Sequence, residues 1–574
     1  TFCILMILRT LCTTLLILLT LPHQNLQVMA QSGWAEPWEE AVVVSAEDYA
    51  SQAGLEVLNK GGNAVDAAVA VQFALAVTLP RAGNIGGGGF MVIQLADGTQ
   101  RALDFRERAP AASHRDMYLD EDGEYHPELS RRGALASGVP GTVDGMINAL
   151  EHHGRLPLEV VMEPAIRLAR DGFPLSYKLA EELNGAAGSL SAYESSRHYF
   201  LREDGREWKR GDLFVQQDLA ETLERVARRG RQGFYTGITA QRIVQEMRRM
   251  GGIIDYDDLR NYESVWREPV TAEFQGYNLV MMPPPSSGGV VIKQTLGMLE
   301  EFDLESKGFN SADYIHLVSE ALRRSFADRN YWFGDPDYVD IPLDELTSNR
   351  YYRERMQTFD EERATVSEEV SQGDFNGYSE SSETTHFSVL DGEGNAVAVT
   401  TTLNGSFGSM LAVTGAGFLL NNEMDDFSAK PGEPNMFGLI GAEANAIEPG
   451  KRMLSSMSPT ILSRDGQVRL ILGAAGGPRI ITATLQNILN TILFDMNPAE
   501  SISAPRFHHQ WLPDRINVEP WTLSADTQSI LEEREHRISH SLSTIGRVHM
   551  IAVDNEGRKY GVPDPRGDGS ARGK

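Results

Sequence analysis

Glu383-Thr384-Thr385-His386-Phe387-Ser388-Val389 marks the sharpest change of character in the chain. Residues 360–383 ahead of it are rich in carboxylates. Arg363 is their single base, and Val366, Val370, Phe375 and Tyr378 are their bulky apolar residues. Such a segment cannot bury enough apolar area to offset its ordering entropy, and it reads as a mobile linker. Directly after it, residues 384–390 have strand composition. Asp391-Gly392-Glu393-Gly394 reads as a turn, and residues 396–402 as a second strand. A threonine therefore heads a buried-looking hairpin, next to a segment that can be cut away.

Taken alone, the hairpin favours reading Thr384 as a plain β-branched strand residue. The alternative is chemical. If the Glu383–Thr384 bond is broken, Thr384 carries both a hydroxyl and a free α-amine, whose ordinary pKa is roughly 8. An amine titrating that close to neutrality can act as general base for its own hydroxyl, a weak nucleophile unaided.

The 574 residues carry a net charge of −28, with 41% hydrophobic and 23% charged residues. That length predicts about two to four domains, or one large layered domain with insertions. The acidity excludes nucleic acid and anionic membrane as partners, since both require basic surface. Residues 1–21 are apolar, broken by Arg9 and ended by Pro22, and Val28-Met29-Ala30 has the spacing of a cleavage site. A secretory signal over residues 1–30 is expected, leaving no membrane span; an uncleaved anchor is the alternative. Both cysteines, Cys3 and Cys12, fall inside it. The mature chain is then expected to have no disulfide and no cysteine-bound metal, as suits a bacterial periplasmic or secreted protein.

Several other stretches carry chemistry. Residues 65–79 are apolar nearly all round and predict a helix buried between layers. Gly83-Asn84-Ile85-Gly86-Gly87-Gly88-Gly89 is neither a dinucleotide fingerprint nor a P-loop. A tight packing loop and a ligand loop both remain open there. A hairpin over 90–105 leads into Arg106, which reads as a bidentate carboxylate clamp or a surface ion pair. Pro283-Pro284-Pro285-Ser286-Ser287-Gly288-Gly289 is a rigid turn between a strand and a helix. Residues 417–421 read as a strand. Asn422-Glu423-Met424-Asp425-Asp426 is either a site for a cation or amino group, or a solvated acidic turn. Residues 429–450 form a long loop. Gly476-Gly477-Pro478 joins a strand to a helix, so its amides lie near a helix N-terminus and make a sound oxyanion site. His508-His509 and the pair His536 and His540 read as structural or surface residues.

Together these motifs resemble the γ-glutamyltransferase family of N-terminal-nucleophile hydrolases. The resemblance runs from about residue 41 to 565, over Gly62 to Ala68, Ala82 to Phe90, Asp104 to Glu107, Pro283 to Gly289, Thr384-Thr385-His386, Asn422 to Phe427, Ser455 to Pro459 and Arg506 to Trp511. It implies an α+β fold, a four-layer αββα sandwich. It implies autocleavage at Glu383–Thr384 into a large subunit, 31–383, and a small catalytic subunit, 384–574, paired as a heterodimer. It implies Thr384 as nucleophile, Thr402 as the residue that positions it, and Gly476 and Gly477 as oxyanion donors. Arg106, Ser455 and Ser456 would hold the substrate α-carboxylate. Asn404, Glu423 and Asp426 would surround its α-ammonium. The substrate implied is glutathione or a related γ-glutamyl amide, with water or an amino acid or peptide as acceptor and no metal or organic cofactor. Phe437 stands in the lid where well-known bacterial members have a tyrosine. The rival readings are a glutaryl-cephalosporin acylase of the same fold and an uncleaved, inactive envelope binding protein.

Overall fold

The computed structural model describes residues 35–370, 384–540 and 544–574. The leader read at residues 1–30 and the autocleavage residue Glu383 lie outside the described residues.

Two seven-stranded sheets dominate. The first runs Ser570–Gly573, Val42–Ser45, Thr384–Leu390, Ala396–Thr402, Gly88–Gln94, Gln100–Asp104 and Val265–Arg267. The second runs Pro37–Trp38, Lys559–Pro563, Arg547–Val553, Gln467–Ala475, Thr460–Arg464, Tyr277–Met281 and Val270–Phe274. Every neighbouring pair in both is antiparallel.

Side-chain alternation assigns each face. Val43, Met91, Ile93, Phe387, Val389, Val397 and Val399 pack with the helices over residues 48–59 and 64–78. Val42, Val44, Phe90, Val92, Ala396 and Ala398 belong instead to the core shared with the second sheet and its helices. The second sheet is backed by Gly288–Leu299, Ala312–Trp332 and Arg479–Ile492. The result is helix, sheet, sheet, helix, as expected.

The helix Ala64–Thr78 is buried at every residue, matching its all-round apolar pattern. Asn63 accepts from the Val65 and Asp66 amides, and Asp66 returns a bond to the Asn63 amide. The Ala64 amide also donates to Asp391 at 2.9 Å, which ties the helix start to the turn of the Thr384 hairpin.

The glycine run proves to be a packing loop. A Cβ at Gly86 would strike the Leu419 carbonyl, and one at Gly87 the Thr402 carbonyl. Asn84 Nδ2 donates to the Thr402 carbonyl at 2.8 Å and to Thr401 Oγ1 at 3.0 Å. The loop presses against the end of the strand that carries Thr402 because no side chain intervenes.

Two expectations fail. Residues 417–421 form no strand beyond an isolated bridge from Leu419 to Ala412, because Gly417 has φ of 77° and breaks the extended path. Residues 360–370, read as the start of a mobile linker, are packed. Ser367 and Val370 are buried. The Ser367 amide donates to Asp514 at 2.9 Å, and Trp511 Nε1 donates to the Ser367 carbonyl at 2.7 Å. Polar partners, which composition does not reveal, hold this part down.

Candidate active site

Thr384 is the first residue of its strand and is 6% exposed. Its partner in register is Thr402, the last residue of the neighbouring strand. Directly paired residues on antiparallel strands project from one face with Cβ atoms roughly 5 Å apart. Thr402 Oγ1 accepts the Asn404 amide at 2.8 Å. The Thr402 hydroxyl therefore keeps its own proton to donate. Asn404 adopts φ of 74°, which bends the chain sharply after the strand. Its Nδ2 donates to the Asn422 carbonyl at 3.0 Å and so fixes the acidic turn beside the hairpin.

That turn is a short 3-10 helix, Glu423–Asp426, and it is not solvated. Glu423 is 1% exposed. Arg106, at the end of the Gln100–Asp104 strand, is fully buried and faces the turn. It donates from Nη1 to Glu423 and from Nη2 to Asp426. It also reaches the Met453 carbonyl at 3.2 Å and the Leu454 carbonyl at 3.3 Å. Glu107 lies 3.7 Å from the same guanidinium. Arg106 is thus neither a surface ion pair nor an uncommitted clamp.

The electrostatics follow from one cation facing three buried acids. Burial opposes the charged guanidinium of Arg106, but Glu423, Asp426 and Glu107 outweigh it and hold its pKa above the usual range. Burial pushes Asp426 up to about 6 and Glu107 up to about 7, against the pull of Arg106. Glu423 rises well above the ordinary carboxylate range for the same reason. Glu423 Oε2 is buried without a hydrogen-bond partner.

The proline-glycine turn at 283–289 explains itself here. The Ser455 amide donates to the Pro285 carbonyl at 2.9 Å, and the Ser287 amide donates back to the Ser455 carbonyl at 2.9 Å. The turn therefore holds Ser455 and Ser456 against the cleft. Gly476 and Gly477 have φ of 137° and 56° and join the Gln467–Ala475 strand to the Arg479–Ile492 helix. Among the described residues neither of their amides finds an acceptor.

A cleft enclosing about 550 Å³, mouth included, is lined by Arg106, Thr402, Glu423, Asp426, Ser455, Ser456 and Gly477. Thr384, Asn404 and Gly476 are not in its wall; each is adjacent in register, in hydrogen bonding or in sequence to a residue that is. The loop over 431–450 covers one side. Within it, Pro434 pairs with Ile440, the Met436 amide donates to Asp425 at 3.0 Å, and Gln510 Nε2 reaches the Gly438 carbonyl at 3.4 Å. Phe437 is 5% exposed, and its ring leaves only 2.9 Å for a Cβ at Gly477. The phenyl group packs over the Gly476-Gly477 turn by shape alone.

Sequence reasoning missed Arg329, which lines the cleft from the long helix Ala312–Trp332. No sequence signal separates it from Arg323 and Arg324 on the same helix. The histidines behave as read. His508 bonds Thr482 at 2.9 Å and Gln510 at 2.7 Å. His536 bonds His316 at 2.7 Å. His316, Glu320 and His536 also have the spacing of a metal site. However, Glu320 already accepts from Arg323 at 3.1 Å and Arg324 at 2.6 Å, and His316 Nε2 is engaged by the Asp360 carbonyl at 2.7 Å. Two arginines on the one carboxylate disfavour a dication there.

A threonine heading a central strand between two stacked antiparallel sheets, with an amide-lined turn and a polar cleft at its end, defines an N-terminal-nucleophile hydrolase. The cephalosporin acylase from Bacillus halodurans superposes with a TM-score of 0.84 at 27% identity, covering 94% of this chain and 97% of that one. The chain belongs to the gamma-glutamyltranspeptidase family, whose model matches residues 50–573. It is 47% identical to the glutathione hydrolase proenzyme of Escherichia coli (strain K12) over 529 residues, 92% of this chain and 90% of that protein. The Helicobacter pylori gamma-glutamyltranspeptidase structure is 44% identical with a TM-score of 0.55, over 56% of this chain and 92% of that one.

Proposed function

We propose that this enzyme removes the γ-glutamyl group of glutathione and related amides through an acyl-Thr384 intermediate, then passes it to water, an amino acid or a peptide. One observation carries the reading: the cleft wall brings together the acids Glu423 and Asp426, the hydroxyls of Ser455 and Ser456, and the guanidinium groups of Arg106 and Arg329. A zwitterionic glutamyl head needs that arrangement.

Cleavage of Glu383–Thr384 by the chain itself frees the Thr384 amine. That amine takes the hydroxyl proton while Oγ1 attacks the γ-carbonyl carbon. Thr402 donates to the Thr384 oxygen and fixes its direction. The Gly476 and Gly477 amides receive the oxyanion. The protonated amine returns its proton to the departing nitrogen, and the acceptor then reverses the sequence. Asn404, Glu423 and Asp426 take the α-ammonium; Ser455, Ser456 and Arg106 take the α-carboxylate. None of these steps calls for a metal or organic cofactor. The two chains, 31–383 and 384–574, stay paired as a heterodimer in the periplasm or outside the cell.

The cephalosporin acylase likeness motivates the one rival substrate class. A glutaryl group keeps the carboxylate and lacks the ammonium. Comparing γ-glutamyl anilide with glutaryl anilide decides the matter. The proposal expects kcat/KM at least tenfold higher for the γ-glutamyl compound, the order of one charge-assisted contact. Equal or reversed rates would assign an acylase instead.

A further inference from the structure

Arg329 is 3% exposed and lies in the wall of the cleft. A buried guanidinium is costly unless an anion balances it. The other arginine of the cleft wall has such partners: Arg106 pairs with Glu423 and Asp426. Among the described residues Arg329 makes no ion pair. Asp426 is the carboxylate whose field it feels, and that carboxylate is bonded to Arg106.

The neutral partners of Arg329 fix its direction. Nε donates to Ser287 Oγ at 2.9 Å, Nη1 to Asn330 Oδ1 at 3.0 Å and Nη2 to Ser456 Oγ at 3.2 Å. The Ser287 hydroxyl in turn donates to the Ser455 carbonyl at 2.7 Å. One side chain thus braces both serines of the carboxylate end. Ser456 Oγ accepts from Arg329, so its own proton must point to a different acceptor. Arg106 is engaged by Glu423, Asp426 and two carbonyls, whereas the polar partners of Arg329 are all neutral.

We propose that Arg329 is a positioning residue for the carboxylate end of the acyl donor: it turns the Ser456 hydroxyl toward that carboxylate and adds an unpaired positive charge to that of Arg106. The inference rests on the γ-glutamyl reading above. It adds a second cation to the recognition of the head group: Arg106 is shared with Glu423 and Asp426, whereas Arg329 has only neutral partners. The ligand class is an acyl donor with a carboxylate at the far end of its chain.

Steady-state kinetics of the mature enzyme with three anilides test this. γ-Glutamyl anilide has both head-group charges, glutaryl anilide only the carboxylate, and 4-aminobutanoyl anilide only the ammonium. In Arg329→Gln, KM for the two carboxylate-bearing donors should rise about tenfold or more, with kcat within about threefold. KM for 4-aminobutanoyl anilide, or its inhibition constant, should stay within about twofold. Arg329→Lys keeps the charge and loses the fork, so its KM should fall between wild type and Arg329→Gln. If Arg329→Gln does not mature, the same donor-selective rise in Arg329→Lys carries the proposal. An equal loss on all three donors, or failure of both variants to mature, assigns Arg329 to folding and overturns it. A wild-type enzyme that does not prefer γ-glutamyl over 4-aminobutanoyl anilide overturns the γ-glutamyl reading itself.

Discussion

Thr384 and Thr402 illustrate how much one register pair decides. Shifting either strand by one residue would turn one of the two hydroxyls to the opposite face. Thr384→Ala keeps the strand and removes the hydroxyl, so we expect a single uncut, inactive chain on a denaturing gel; two chains from that variant would remove the self-cleavage step. Asp426 sets a pH limit. Burial raises its pKa to about 6, so it takes up a proton as pH falls through that value. The negative charge proposed to face the substrate ammonium is then lost, and KM should rise as pH falls below about 6. A KM that does not change between pH 5 and 7 would take Asp426 out of ammonium binding. Residue roles were unevenly legible. The Thr384 hydroxyl next to a removable segment announces a chemistry in the sequence. Arg329 does not, because its significance lies in an absent counter-ion, which only the packing of Ala312–Trp332 against the Ser287 turn creates.

Elements were read well wherever period and turn chemistry agreed. The Thr384 hairpin and the capped Ala64–Thr78 helix both fall within a few residues of their sequence ranges. Residues 360–370 and 417–421 were misread because long-range polar contacts and one left-handed glycine override local composition. The glycine run could not be resolved beforehand, since close approach to a ligand and to a strand demand the same residue. Its packing role predicts a phenotype remote from chemistry. Gly87→Ala forces the loop off the Thr402 carbonyl, a backbone atom that cannot rotate away. Overpacking of this kind costs roughly 1–3 kcal/mol, and it should appear as a lower Tm and slowed maturation. Gly477→Ala acts differently. Its φ of 56° and the Phe437 ring both resist a Cβ. Displacing one oxyanion donor should lower kcat by about a hundredfold with little change in Tm.

The whole molecule interleaves what cleavage separates. In the first sheet, strands from residues 384–402 lie between Val42–Ser45 and Gly88–Gln94. The two chains that the proposed cut would make share both sheets and both cores, so no surface exists along which they would part while folded. They should co-elute under native conditions and separate only in denaturant; dissociation without loss of secondary structure would contradict this topology. A buried network adds to the seam: Arg323 bonds Asp514, Glu320 bonds Arg323 and Arg324, and His316 bonds His536. Burial alone would raise the Glu320 pKa, but Arg323 and Arg324 reverse that and hold it near 2. Its contribution to stability is then complete above the ordinary carboxylate range and fades as pH falls toward 2. Thermal unfolding followed from pH 6 to pH 3 should show Tm falling more steeply in the wild type than in Glu320→Gln.

The central claim is that a cut before Thr384 creates the nucleophile. Intact-mass analysis of the purified protein, before and after a brief reaction with γ-glutamyl anilide, tests it most directly. The account predicts two chains, the smaller beginning at Thr384 and transiently carrying one glutamyl group. A single uncut chain that turns over the anilide, or an acyl group on the larger chain, would contradict it.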